Sequence, residues 1–309
     1  MTDGLDVDTT EALTRKTAHG IRKRVLEHTI KNGGGYLSQA CSAAETLATL
    51  YTRVLNIGPS AGPRVPIPFP GVPGADNPDY FTGGNYNGER SPEYDRFFFS
   101  PAHYALVLYA TLIETGRMSE YGLAQFNRDG STVEMIGAEH SPGMEFTTGS
   151  LAQGLSQAMG VAMARKLRGD SGKCWVYMSD GEFQEGQTWE TFEGLSFYKM
   201  DKIGIYVDVN GQQCDGRMKD VMDLGNIGDK LRAFGATVVD VDGHHIDELE
   251  AASKAFEKDK PLVILAHTSP YQGIDQLKDR APKFHYFRFR DNDEMELYKG
   301  ILTRMAQEV

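Results

Sequence analysis

The rhythm of apolar and polar positions changes along the chain, and the changes separate helices from strands. Between residues 9 and 31, Leu13, Ala18, Ile21, Val25, Leu26 and Ile30 recur at spacings near three and four. That pattern predicts an amphipathic helix, closed by Asn32-Gly-Gly-Gly35. A second helix is expected over Ser42 to Val54, with Ser42 as N-cap and Glu45 completing a capping box. From Gly58 to Arg96 the periodicity dissolves into Gly, Pro, Asn and Tyr, the mark of an ordered functional loop or a flexible insertion. Phe69, Tyr80, Phe81 and Tyr86 within it favour packing. An apolar helix is predicted after His103, to about Ile113, and a small-residue helix after a turn between residues 130 and 164.

Cys174 to Met178 and Ile203 to Val209 are apolar, β-branched runs without polar alternation, the pattern of short strands buried on both faces. Beyond them the chain alternates. A strand near Ala236 to Val241, a turn at Asp242-Gly-His-His245 and a helix from Ile246 to Glu257 precede a strand from Pro261 to Ala266 and a last helix from Asp293 to Gln307. This βαβ rhythm predicts an α/β fold, a doubly wound and mainly parallel sheet flanked by helices. Residues 1–309 are expected to form one domain, with a Gly/Pro-rich insertion at about 58–96.

Composition narrows the class. An apolar share of 40% and a charged share of 24% are those of a soluble globular protein, and a net charge of −11 argues against a general nucleic-acid binder. Cys41, Cys174 and Cys214 include no close pair, which points to reduced thiols and away from a disulfide framework or a zinc site. The acidic N-terminal stretch lacks the apolar core of a secretory signal, and no run approaches the roughly twenty apolar residues of a membrane span. A cytoplasmic location, away from membranes, is the expectation.

Each of the two apolar runs ends in a polar residue and a glycine: Asp180-Gly181 after the first, Asn210-Gly211 after the second. The carboxyl ends of parallel strands open into one ligand crevice, so Asp180 and Asn210 can converge although about thirty residues separate them. A carboxylate and an amide carbonyl form a hard-oxygen donor set suited to Mg2+ or Ca2+, and Mg2+ readily shares its shell with phosphate oxygens. Gly181 lets backbone approach a ligand closely, and a helix starting after it would offer free N–H groups to an anion. An Asp-Gly pair by itself is more often a surface turn; the spacing and the flanking strands raise it above that.

The arrangement resembles the thiamine diphosphate fingerprint, and DGEFQEGQTWE followed by DVNGQQCDG resembles transketolases, with Ser179 where the family usually has Gly. Asp95-Arg-Phe-Phe-Phe-Ser-Pro-Ala-His103 and Thr147-Thr-Gly-Ser-Leu-Ala-Gln-Gly154 are similar to two further transketolase motifs. The resemblance runs from the first helix to His285 and implies the diphosphate-binding (PP) domain of the thiamin diphosphate-binding fold. It implies thiamine diphosphate and Mg2+ as cofactors, with Ca2+ or Mn2+ as substitutes. Asp180, Asn210 and the Gln212 carbonyl would hold the metal. His103, Gly149, Leu151, Asp180, Gly181, Glu182, Asn210, Cys214 and His285 would meet the cofactor, with Cys214 packing beside its thiazolium ring. His103 and His285 would also face substrate oxygens, and Glu185 would join a carboxylate network between paired sites.

Departures accompany the match. The family's Gly-His-Pro-Gly is replaced by Asn32-Gly-Gly-Gly-Tyr-Leu-Ser-Gln39, which makes Tyr36, Ser38 and Gln39 candidates for altered substrate contacts or leaves a plain glycine-rich turn. A second Gly-His-Pro is missing before Thr147, where His140 sits out of step, and Tyr286 follows His285 in place of Gly. Only the diphosphate-binding half of a transketolase is matched. That implies a separate subunit carrying the pyrimidine domain and its glutamate, two copies of each forming an α2β2 heterotetramer, and transfer of a two-carbon ketol unit from a ketose to an aldose. The departures point to a specialised sugar, such as a branched or sulfonated ketose. An α chain of a 2-oxo acid dehydrogenase and a noncatalytic cofactor-binding regulatory subunit stay open.

Overall fold

The computed structural model describes residues 7–72, 74–78 and 80–308. Its centre is a sheet of five strands: β1 (Arg96–Phe99), β2 (Cys174–Ser179), β3 (Ile203–Val209), β4 (Thr237–Asp242) and β5 (Leu262–His267). Every pairing is parallel and the order is β1-β2-β3-β5-β4, so the expected α/β architecture is present. The two runs without polar alternation are β2 and β3, and both are central.

Successive side chains on these strands feed two cores. Trp175, Tyr177, Tyr206 and Ile264 face a layer built from α1 (Val7–Asn32), α2 (Leu37–Thr49) and α3 (Ala105–Glu114). Val176, Met178, Ile205, Val207 and Val263 face α4 (Gln153–Arg168) and α5 (Gly186–Phe197). A single helical turn at Met218–Val221 and three longer helices, α6 (Ile227–Ala233), α7 (Ile246–Ala252) and α8 (Asn292–Gln307), complete the described residues. Among the described residues no helix is long and apolar enough to cross a membrane.

Two boundaries differ from the sequence expectation. The second helix begins at Leu37, five residues before Ser42, and runs into one wider turn at Leu50–Val54. All thirteen of its residues are buried, so packing outweighs the local capping signal. Ser42 and Glu45 serve tertiary partners instead: Ser42 donates to Asp208 (2.7 Å), and Glu45 pairs with Arg22 (2.6 Å) and His244 (3.1 Å). A capping box exists elsewhere, at Ser179, whose N–H donates to the Glu182 carboxylate (2.9 Å). The helix expected to reach Glu257 stops at Ala252, where the Ser253 hydroxyl donates to the Glu250 carbonyl (2.7 Å).

The 58–96 stretch carries little regular structure but is packed. Tyr86 is fully buried beneath Gly62, and its hydroxyl donates to the Pro63 carbonyl (2.7 Å). Phe69 N–H and Gly83 N–H donate to the carbonyls of Gly130 (2.8 Å) and Glu139 (2.7 Å), tying the stretch to the 130–144 segment.

Candidate active site

Asp180 stands at the end of β2, 1% exposed, in a single 3-10 turn (Asp180–Gln184) that precedes α5. The expected helix therefore starts later, at Gly186. One carboxylate oxygen of Asp180 accepts the Gly211 N–H at 2.7 Å, which joins the two halves of the fingerprint directly. The other oxygen, Oδ1, is buried with no partner among the described residues. Burial, with the charge of Asp208 as a second cause, pushes the Asp180 carboxyl well above the usual carboxylate range. A carboxylate held this way is stabilised by a cation.

Asn210 sits two residues beyond Asp208 with its amide orientation set on both sides. Its Nδ2 donates to Asp208 (3.0 Å) and to the Tyr104 hydroxyl (3.1 Å), while its Oδ1 accepts the Gln212 N–H (2.8 Å). Gln212 begins a two-residue ladder, Gln212–Gln213 against Gly216–Arg217, and its Oε1 is also buried without a partner among the described residues. A side chain added at Gly181 or Gly211 would meet no protein atom within 4 Å. Oxygen donors without partners and open space over two glycines fit a diphosphate and its divalent cation.

Asp208 holds this edge together, and the reading of the sequence missed it. Fully buried, it accepts from Ser42 of α2, Tyr104, Asn210 and Thr268, four side chains brought to one carboxylate. Its pKa is raised by burial and drawn back down by those four bonds. The signal was present: an acidic residue interrupting an apolar β-branched strand is informative because buried carboxylates are rare unless partnered.

The histidines converge beside this edge. His103 lies on a short turn (Ala102–Tyr104) after β1, and its ring centroid is 5.2 Å from that of His285. Burial, and next the charge of His285, lowers His103 to about 3; burial also lowers His285. Both are neutral at pH 7. Tyr36 packs edge-on against His103 (5.9 Å), His285 (5.5 Å) and Tyr286 (5.0 Å). Gly34, two residues before Tyr36, has a mechanical reason. Gly34–Gly35 pairs antiparallel with Phe287–Arg288, and a Cβ at Gly34 would lie 2.7 Å from the Phe287 carbonyl oxygen.

Ser38 and Gln39, candidates for substrate contacts, turn toward the segment before Tyr286. Both are buried, and they donate to the carbonyls of Phe284 (2.8 Å) and His285 (2.9 Å), clamping the histidine segment. His140 packs at a tilt against Phe69 (ring centroids 4.4 Å) beside Glu134 (3.3 Å) and joins neither histidine. Glu182 points inward: its carboxylate, fully buried, accepts from Ser100, Ser179 and the Ala152 N–H (3.1 Å), so its side chain braces the turn and offers nothing to the cleft. Gly149 and Leu151 lie on an exposed loop ahead of α4, with Ile136 3.7 Å from the Cβ position of Gly149. Glu185, the residue before α5, is exposed, and so is Cys214 at the tip of the Gln212–Arg217 ladder.

Known proteins resemble this chain over most of its length. Residues 82–276 match the family described as transketolase, thiamine diphosphate binding domain. The chain is 32% identical over 294 residues to the 6-deoxy-6-sulfo-D-fructose transketolase subunit SqwG of Clostridium sp. strain MSTE9, covering 94% of this chain and 95% of that protein. It is 30% identical over 285 residues to an apulose-4-phosphate transketolase subunit of Actinobacillus succinogenes, covering 91% and 93%. The fold superposes on the transketolase of Campylobacter jejuni with a TM-score of 0.70 at 19% identity, over 98% of this chain and 48% of that one. The sequence therefore spans about half of a full transketolase and nearly the whole of relatives named as subunits, and the chain belongs to the transketolase family, as its thiamine diphosphate-binding part.

Proposed function

We propose that this chain is the diphosphate-binding subunit of a transketolase built from two kinds of subunit, moving a two-carbon ketol unit from a ketose to an aldose. The observation that carries the reading is the buried Asp180 Oδ1, unpartnered among the described residues, on a carboxylate bonded to the Gly211 N–H, with open space at Gly181 and with Asn210 bonded to Tyr104, the residue after His103. Asp180, Asn210 and the Gln212 carbonyl hold Mg2+, with Ca2+ or Mn2+ as substitutes. The backbone of Gly149, Leu151, Gly181 and Glu182 borders the cofactor, with Cys214 at its edge. His103 and His285, neutral at working pH, orient diphosphate and sugar oxygens by hydrogen bonds without adding charge.

When bound, thiamine diphosphate supplies the electron sink that ketol transfer requires. The residues of this chain bind, orient and exclude water around it. The glutamate that sets the cofactor's protonation comes from a partner subunit with the pyrimidine domain, in an α2β2 assembly with sites at subunit interfaces. Exposed Glu185 suits a contact across that assembly. All 309 residues act as one domain, and the 58–96 insertion borders the site mouth or a subunit contact.

The test is calorimetric titration of thiamine diphosphate with Mg2+ into the chain alone and into the chain mixed with its partner, followed by a ketol-transfer assay. Binding that tightens at least tenfold with the partner, with transfer by the mixture only, is expected. Tight binding by the lone chain with no transfer in any mixture would sink the reading in favour of a regulatory subunit.

A further inference from the structure

A buried phenol joins the histidine turn to the acidic edge of the site. Tyr104 follows His103 in the Ala102–Tyr104 turn, 3% exposed, and its ring packs at right angles to that of His103 with centroids 4.8 Å apart. Tyr177 of β2 lies tilted against the same ring at 6.3 Å. The hydroxyl reaches the end of β3, 3.2 Å from Asp208 Oδ2 and 3.1 Å from Asn210 Nδ2. One residue therefore spans from the histidine to the candidate metal ligand.

The direction of the protons in this bridge follows from the groups themselves. Asp208 accepts from every side chain around it, so Tyr104 spends its only O–H on that carboxylate and turns its lone pairs to Asn210. Burial, with the charges of Asp208 and Asp180 next, pushes the phenol well above its ordinary value, and it keeps its proton at pH 7. Asn210 Nδ2 then has an acceptor for each hydrogen, Asp208 at 3.0 Å and Tyr104 at 3.1 Å. Rotated by half a turn, the amide would set its carbonyl oxygen against a carboxylate and against a hydroxyl oxygen whose proton is already used. Both contacts would repel. Oδ1 is thus held on the opposite side, where it accepts the Gln212 N–H at 2.8 Å and keeps a second lone pair.

We propose that Tyr104 is a positioning residue of the metal site: it holds the Asn210 amide with its oxygen toward the cation and ties that orientation to the turn that carries His103. The inference rests on the transketolase reading, in which Asn210 is a ligand of Mg2+. Tyr104 touches neither cation nor sugar and acts through Asn210. Asp208 alone would leave one Nδ2 hydrogen unspent in the interior and the amide free to tilt toward another acceptor. A neutral hydroxyl supplies the missing acceptor without adding charge beside Asp180 and Asp208.

The experiment measures Mg2+ binding by calorimetry in the assembled complex saturated with thiamine diphosphate, beside the urea midpoint of each variant. Tyr104→Phe keeps the ring and its packing on His103 and Tyr177, removes only the hydroxyl, and is expected to weaken Mg2+ binding about tenfold. Thr268→Val removes a donor to Asp208 Oδ1, the oxygen that Asn210 does not touch. It should lower the urea midpoint, as Tyr104→Phe does, yet leave Mg2+ affinity within about twofold. In an Asn210→Asp background, where either oxygen can face the cation, Tyr104→Phe should cost no further Mg2+ affinity. Unchanged affinity in Tyr104→Phe, an equal loss in Thr268→Val, or a further loss in the Asn210→Asp background overturns the positioning role while leaving ketol transfer intact. Failure of the unmodified complex to bind Mg2+ with thiamine diphosphate removes that role together with the reading beneath it.

Discussion

The two walls of the cleft are built by opposite means. At the ends of β2 and β3, Asp180, Asp208 and Asn210 stand in a network in which one carboxylate, Asp208, accepts from four side chains. Beside it, Tyr36, His103, His285 and Tyr286 touch mainly ring to ring, and Tyr36 and Tyr286 flank the Gly34–Gly35 and Phe287–Arg288 ladder that only glycine lets close. A hydrogen-bonded hub tolerates little change, because each lost partner leaves a buried polar group behind. Ring contacts without directional bonds tolerate exchange of one aromatic for another. The first wall suits a task common to a family, holding a charged cofactor, and the second suits a task that varies, choosing a sugar.

The comparison breaks most readily at Asp180. Asp180→Asn removes the charge that a cation would meet, and cofactor binding with Mg2+ should weaken at least 100-fold by calorimetry. The same change should raise the stability of the lone chain by about 1 kcal/mol in urea, because an uncompensated buried carboxylate costs stability when no cation is present. A lower urea midpoint for the variant would show that Asp180 is a structural residue.

Asp208→Ala should cost about 3 kcal/mol, since Ser42, Tyr104, Asn210 and Thr268 all lose an acceptor in the interior. A loss below about 1 kcal/mol in the same urea experiment would deny it the role of hub.

On the other wall the effects are smaller. Gly34→Val forces a side chain against the Phe287 carbonyl and should cost about 2 kcal/mol, read as a lowered thermal midpoint. His28 offers a pH test. Its folded pKa, about 4, lies below the ordinary 6.5, so protonation favours the unfolded chain. Its contribution is complete above pH 6.5 and is lost as pH falls through 4. His28→Leu should flatten the decline of stability over that window by on the order of 1 kcal/mol, and an unchanged slope would contradict a neutral buried ring. Smallest of all, Tyr36→Phe should leave stability within about 0.5 kcal/mol, because no hydrogen bond to its phenol is present among the described residues. A larger loss would mean that the second wall is hydrogen-bonded like the first.

Sequence alone determined the parallel sheet, the convergence of Asp180 with Asn210, and the transketolase resemblance. Those features rest on local runs and short motifs: β2 and β3 lack polar alternation because both faces are buried, and a polar residue with glycine follows each. His103 and His285 could be named because each sits in or near a motif. Tertiary structure alone decided the rest. Ser42 and Glu45 read as a capping box, yet they belong to the middle of α2 and bond to Asp208, Arg22 and His244, residues far away in the chain. Ser38 and Gln39 looked like substrate contacts and proved to clamp the His285 segment, while Glu182 turned inward to Ser100 and Ala152. Spacing along the chain shows which residues share a strand or a helix face. Which polar atom finds which partner is settled only when separate elements pack, because a buried donor or acceptor must be satisfied by whatever lies beside it in space.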